Sequence, residues 1–156
     1  MNNWERMKAG RLYNADSKDL EKYHSFGMET CDKFNRTPLW MKKRKQRLLE
    51  KMIPSAKDGG AAIFAPFYCE YGVNIHFGKG CFVNYKCTFL DCAPITLEDG
   101  VWVGANVTIA TPCHRSSRMS ACRSSIRMVS MTLSMQSRST SEAEVGSVRA
   151  RRSVVG

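Results

Sequence analysis

The sequence predicts a mainly β fold: a three-sided parallel β-coil, preceded by a helical region and followed by an irregular tail. Three observations predict it. Residues 75–89 can be laid over residues 95–109 at an offset of 20 residues. Within each repeat, apolar side chains recur near every sixth position, as at Ile95, Val101 and Val107. Finally, the composition breaks at His114. All five prolines, all eleven lysines and every aromatic residue precede it, while the 43 residues from His114 to Gly156 hold twelve serines and eight arginines.

Residues 4–53 read as helical. Asp16-Ser17-Lys18-Asp19-Leu20 offers N-cap candidates ahead of a helix carrying Leu20, Tyr23, Met28 and Phe34. Thr37-Pro38-Leu39 fits a cap followed by proline at the first helical position, so the next helix is expected to start there. It should run to Met52-Ile53 and stop at Pro54. Its basic run, residues 42–47, reads as a solvated face, because no aromatic or glycine pattern accompanies it. This gives a helical region over residues 4–55, a β-coil over 60–114 and an anomalous tail over 115–156, expected to be disordered for want of apolar periodicity.

In the repeat, apolar residues match at 75/95, 77/97, 81/101, 83/103, 87/107 and 89/109, with glycine at 80/100. A period of six suits a triangular coil whose sides each present one inward aliphatic and whose turns take Gly, Asn or Asp where φ is positive. Cys81 and Cys87 occupy the slots of Val101 and Val107, and are read as core residues. Such a coil cannot bury its inner face alone and needs neighbours and caps.

The net charge of +10 is concentrated unevenly: residues 1–113 carry 16 basic and 12 acidic groups, the tail 8 and 2. Nucleic-acid binding is therefore not expected of the folded part, although a non-catalytic coil scaffold with a basic, phosphate-binding tail is the alternative reading. No stretch approaches the roughly 18–20 apolar residues of a membrane span, and the N-terminus has no signal-peptide pattern. A soluble, cytoplasmic protein is the expectation. The seven cysteines form no C-x-x-C pair, so no metal site is predicted.

Several segments, in order and at the right intervals, carry a family resemblance. They are Met7-Lys8-Ala9-Gly10-Arg11-Leu12-Tyr13 with Asp16 and Phe34-Asn35, and Pro66 to His76. Val83-Asn84-Tyr85 through Leu90-Asp91, Ala93-Pro94-Ile95-Thr96, and Ala110-Thr111-Pro112-Cys113-His114 complete them. The chain resembles the maltose and galactoside O-acetyltransferases of the hexapeptide-repeat superfamily. That resemblance implies a left-handed parallel β-helix, a homotrimer, and acetyl transfer from acetyl-CoA to a sugar hydroxyl. It makes His114 the general base, since neutral imidazole is tuned to take a hydroxyl proton. It makes Asn84, Asp91, Glu70 and Asp16 the residues that hold the acceptor. The competing reading makes Asn84 a turn residue opposite Gly104 and Asp91 a turn cap. His24 reads as a helix-surface residue and His76 as structural. The acetyl-CoA-binding residues are expected beyond His114.

After His114 the family would continue His-Pro and, later, Pro-Ile-x-Ile-Gly-x-x-x-Trp-Val-Gly. The codons CAC-CCG-CTC-CTC-GCG-GAT-GAG-CGC spell His-Pro-Leu-Leu-Ala-Asp-Glu-Arg. Losing one C from the second codon yields His114-Arg115-Ser116-Ser117-Arg118-Met119-Ser120. Shifted back, Gln136 to Glu142 can regenerate Glu-Pro-Ile-His-Ile-Gly, and Val145-Gly146-Ser147-Val148 can regenerate Trp-Val-Gly. A one-base frameshift after His114, impairing activity, is the expectation.

Overall fold

The structure, a computed structural model, describes residues 1–112, side chains at 58–59 excepted. His114 and the tail, with its expected disorder, lie outside the described residues. Three helices lead the chain: α1 (Asn3–Lys8), α2 (Lys18–Arg36) and α3 (Lys42–Met52), then a 3₁₀ turn, Pro54–Gly59. Eight short strands follow: β1 (Ala61–Ile63), β2 (Phe67–Cys69), β3 (Ile75–Phe77), β4 (Cys81–Val83), β5 (Cys87–Leu90), β6 (Ile95–Leu97), β7 (Trp102–Val103) and β8 (Thr108–Ala110).

The strands form three parallel sheets, ordered β1-β4-β7, β2-β5-β8 and β3-β6. Every pairing has the 20-residue register of the repeat: Ala61 opposes Cys81, Phe67 opposes Cys87, Ile75 opposes Ile95 and Phe82 opposes Trp102. The chain therefore winds around a triangle, and the mainly parallel-β expectation holds. The first coil begins earlier than the visible repeat, at β1 and β2, with Gly60 standing 20 residues before Gly80. Alternation puts one side chain of each pair inside. Ile63, Phe67, Ile75, Val83, Cys87, Phe89, Ile95, Leu97 and Val103 are all buried, and Cys81 is buried with them. At the corner before β4 and β7, Gly80 and Gly100 hold φ values of 68° and 70°, the left-handed region that glycine enters freely.

The helices close the open end of the coil. α2 buries Leu20, Gly27, Thr30, Cys31 and Phe34, while Tyr23 and Met28 stay exposed. The sequence reading had chosen the wrong neighbours on this stripe, because a glycine and a threonine fill buried positions where backbones approach closely. A Cβ on Gly27 would lie 2.7 Å from the carbonyl oxygens of Glu70 and Tyr71. Two side chains replace the missing next rung. Asn35 donates to the Phe67 carbonyl (2.8 Å) and accepts the Phe67 N–H (2.9 Å). Ser55 Oγ donates to the Ile75 carbonyl and accepts the Phe77 N–H, both at 3.0 Å. An unpaired buried edge is thereby satisfied. Thr37-Pro38 ends α2 rather than starting α3, a second correction: Thr37 Oγ1 donates back to the Lys33 carbonyl at 2.6 Å. Lys45 of the basic run folds onto the same helix end, donating to the carbonyls of Phe34 (3.0 Å) and Thr37 (3.3 Å).

Candidate functional site

The predicted site residues fall on two corners of the triangle. Glu70 and Asp91 share the corner that follows β2 and β5. Asn84 stands at the corner between β4 and β5, one full side away. Asp16 lies exposed in the turn between α1 and α2, with its backbone N–H on Asn14 Oδ1. His114 lies beyond the described residues.

At the first corner Asp91 is the organiser. Its side chain is fully buried. Oδ1 accepts the N–H groups of Glu70 (3.1 Å) and Tyr71 (2.9 Å), and Oδ2 accepts that of Asn74 (3.2 Å). Asn74 Nδ2 donates in return to the Asp91 carbonyl at 2.7 Å. Burial pushes the Asp91 carboxyl above its ordinary value, against the pull of these N–H donors. All these contacts are to backbone or to Asn74, which is the work of a turn clamp.

What Asp91 clamps is Glu70, whose carboxylate is part-exposed. The Cys92 thiol donates to Glu70 Oε2 at 3.4 Å, and His24 Nε2 stands 3.8 Å from Oε1. The Tyr71 ring packs between His24 (5.6 Å) and Trp4 (5.2 Å). Burial first, then the neighbouring Glu70 charge, pushes the Cys92 thiol up to about 12. Burial, followed by Cys92 and Glu70, likewise pushes the Tyr13 phenol up to about 12. Both therefore keep their protons at neutral pH, and the Cys92 thiol donates its own to the Glu70 carboxylate. Met7, Leu20, Tyr71 and Cys92 form the apolar floor, with Trp4, Tyr13 and Val73 packed against it.

The same corner receives the end of β8. Thr111 Oγ1 accepts the Ala93 N–H at 2.8 Å and donates to the Leu90 carbonyl at 2.9 Å, so the chain is pinned here three residues before His114. The arrangement gathers a carboxylate, protonated donors and an imidazole at a semi-open edge, a set suited to gripping hydroxyls.

Sequence reasoning missed Tyr13, His24 and Cys92. His24 is half-exposed yet faces Glu70, and Cys92 is buried against a carboxylate. His76 projects from the outer face of β3. Among the described residues, no group of three or more His, Cys, Asp or Glu side chains could hold a metal.

The profile of the maltose acetyltransferase hexapeptide capping motif matches residues 6–57. A Staphylococcus haemolyticus protein named for acetyltransferase activity is 33% identical, over 67% of this chain and 73% of its own. The galactoside O-acetyltransferase of Lactococcus lactis is 30% identical, over 73% and 55%. The solved maltose O-acetyltransferase of Clostridium difficile is 31% identical, covering 74% of this chain and 61% of that one, with a TM-score of 0.69. A galactoside acetyltransferase solved with coenzyme A is similar at 26% identity, over 73% and 58%, with a TM-score of 0.62. The chain spans between 54% and 60% of the length of the first six curated relatives it matches.

Proposed function

The chain belongs to the maltose and galactoside O-acetyltransferase family of hexapeptide-repeat proteins, and from that premise we propose that the fold serves acetyl transfer from acetyl-CoA to a sugar hydroxyl. The observation that carries the reading is the corner where Glu70, flanked by Cys92 and His24, meets the pinned Thr111. Glu70 holds the acceptor by its hydroxyls. His114, three residues past that anchor, takes the proton of the attacking hydroxyl and returns it to the departing sulfur. Acetyl-CoA supplies the activated thioester as donor substrate. The residues that bind it are expected after His114, outside the described residues. Asp91 serves by fixing the Glu70 backbone, and Asp16, exposed in its turn, is the outermost acceptor contact.

Asn84 reaches this acceptor only from a neighbouring copy, because it stands a full side of the triangle away from Glu70. A threefold arrangement that sets the Asn84 corner of one copy on the Glu70 corner of the next completes three such sites, and supports the homotrimer. We place the protein in the cytoplasm, where acetyl-CoA is at hand; among the described residues no helix is long and apolar enough to cross a membrane.

Residues 115–156 read as a shifted frame, and impaired donor binding by the chain as written is the expected consequence. The test is a matched pair: this chain, and the same gene with one C restored after the His114 codon. Thiol release from acetyl-CoA with simple sugars should be at background for the first and clear for the second, and His114→Ala should cost the second at least about a hundredfold. An intact locus with no one-base repair nearby, or normal turnover by the 156-residue chain verified by mass, overturns the frameshift. A restored enzyme that is indifferent to His114→Ala overturns its role.

A further inference from the structure

The end of α3 remote from the Glu70 corner carries a surface that acetyl transfer leaves unused. A Cβ on Gly72 would lie 2.6 Å from the Met52 carbonyl oxygen, so the last turn of α3 sits against that corner. The helix rises about 1.5 Å per residue, which puts its first turn, Lys42 to Lys45, about 15 Å away. Just before that turn, Leu39 and Trp40 occupy the centre of a bend closed by the Met41 N–H, which donates to the Pro38 carbonyl at 3.0 Å. They are 71% and 78% exposed, more than any other large apolar side chain among the described residues. The bend is not a loose tip. Lys45 ties it to the end of α2 through the Phe34 and Thr37 carbonyls, and Thr37 itself is buried. A fixed bend thus holds a leucine and an indole out to solvent side by side.

Cations adjoin them. Lys42, Lys43 and Arg47 line one shallow hollow on α3, and Arg44 lines a second with Lys33 and Arg36 of α2. Lys33 and Arg36 already pair with Glu29 (3.3 Å) and Asp32 (2.9 Å) of their own helix. Lys42, Lys43, Arg44 and Arg47 are exposed and make no salt bridge among the described residues. Helix stability does not call for this order: three cations in the first turn of α3, with no acid beside them, oppose the helix dipole. From sequence alone residues 42–47 read as a solvated face for want of an aromatic companion, and the structure supplies that companion in Trp40. A polyanion without an apolar layer, such as a nucleic acid, would meet the cations and leave Leu39 in water. An apolar protein face would take Leu39 and Trp40 and strand the cations. An anionic bilayer satisfies both, because its interface accepts indole and leucine at the level where its charged headgroups lie.

We propose that this end of the molecule docks on the surface of an anionic phospholipid bilayer, with Leu39 and Trp40 inserted at headgroup depth and Lys42, Lys43, Arg44 and Arg47 on the lipid charges. The attachment is peripheral and reversible. Two apolar side chains bury too little to anchor a protein alone, and each cation near a charged surface adds about fivefold in affinity. The inference does not draw on acetyl transfer. It also concerns a face outside the Asn84 and Glu70 corners, where contact between copies is proposed.

The test is flotation of the full chain with vesicles of phosphatidylcholine alone, and with vesicles in which about 30% of the lipid is phosphatidylserine. The chain should float with the anionic vesicles only, and raising salt from about 0.1 M to about 0.5 M should release it. Trp40→Ala should weaken partitioning by about tenfold, and Lys42→Ser with Lys43→Ser by about twentyfold or more. All three residues are exposed, so circular dichroism should show an unchanged fold. Acyl chains brominated near the headgroup should quench indole emission in the parent and much less in Trp40→Phe. The tail needs its own control, because residues 115–156 hold eight arginines against two acids. Flotation that neither the Trp40 nor the lysine variant weakens assigns the binding to that tail and overturns the proposal. Equal flotation with phosphatidylcholine alone overturns it too, as does no flotation at all. Polyuridylate binding that is as salt-sensitive as vesicle binding, with vesicle binding untouched by Trp40→Ala, would make the patch a nucleic-acid site instead. A lipid-free Trp40→Ala variant with a changed sedimenting mass overturns the proposal as well, since the bend would then be a contact between copies.

Discussion

Removing the Asp91 carboxylate should unfold the corner rather than merely empty a binding site. Asp91→Ala leaves three backbone N–H groups, those of Glu70, Tyr71 and Asn74, without their acceptor. A buried donor stripped of its partner costs about 1–3 kcal/mol, and Glu70, near the surface, recovers part of that from water. The three together should cost about 3–5 kcal/mol, a large share of the roughly 5–15 kcal/mol that holds a domain together. With a urea dependence of about 2 kcal/mol per molar, the unfolding midpoint should fall by about 2 M. Asp91→Asn is the sharper probe. Its Oδ1 keeps the Glu70 and Tyr71 bonds, but its amide then faces the Asn74 N–H donor to donor, so about half the loss should appear. The pH dependence has a definite sign. Burial raises the folded-state value of Asp91 above the unfolded one. The folded form therefore binds more protons, and stability from this group falls as pH rises through the carboxylate range and is regained in acid. Urea titrations at pH 7 decide the matter. An Asp91→Ala midpoint within about 0.5 M of the parent, with sugar binding abolished, would return Asp91 to the acceptor-binding role and refute the clamp.

Other outcomes follow from the same contacts. Gly27→Ala should lower stability by about 1–3 kcal/mol despite a helix-propensity gain of about 1 kcal/mol, because its Cβ would strike the Glu70 and Tyr71 carbonyls; thermal melts check it. Cys92, raised from 9.0 to about 12 chiefly by burial, contributes stability that is full below pH 9 and lost between pH 9 and 12. Urea midpoints measured across that window should fall less steeply for Cys92→Val than for the parent. Lys45→Met should cost about 1 kcal/mol by uncovering the Phe34 and Thr37 carbonyls at the end of α2, and Lys45→Arg should restore part of it.

The coil was legible because its register is written twice in the chain. Ile75 to Phe89 and Ile95 to Ile109 share an inward period that no other architecture explains, and the parallel pairings repeat the offset residue for residue. The start of the first rung was not legible: β2 draws its outer partner from the cap, through Asn35, and a side-chain substitute for a strand leaves no periodic mark. The site was half legible. Cys92 does not share the inward slots of Cys81 and Cys87, because its 20-residue partners are Gly72 and Pro112, not inward aliphatics. That mismatch was the available sign that it belongs to a corner. His24 falls on the stripe of Leu20, Gly27 and Cys31, so helical spacing alone turns it inward. What no spacing could give is that this stripe rests on Glu70.

The cap and the candidate site are one construction. A coil of parallel strands must end somewhere, and its first rung offers unpaired N–H and C=O groups that only a covering element can satisfy. α2 does so with Asn35, and its approach is set by Gly27, where helix and corner meet backbone to backbone. The same closeness brings His24 to Glu70, and α1, fastened to α2 by Asp19 accepting the N–H groups of Asn3 (2.9 Å) and Trp4 (3.2 Å), brings Trp4 against Tyr71. The residues around Glu70 are thus positioned by contacts that first exist to end a β-coil. Any substitution that loosens the cap should therefore move the hydroxyl-gripping edge as well, and stability and acceptor binding at this corner should fall together for Gly27 and Asp91 but separate for His24, which seals nothing.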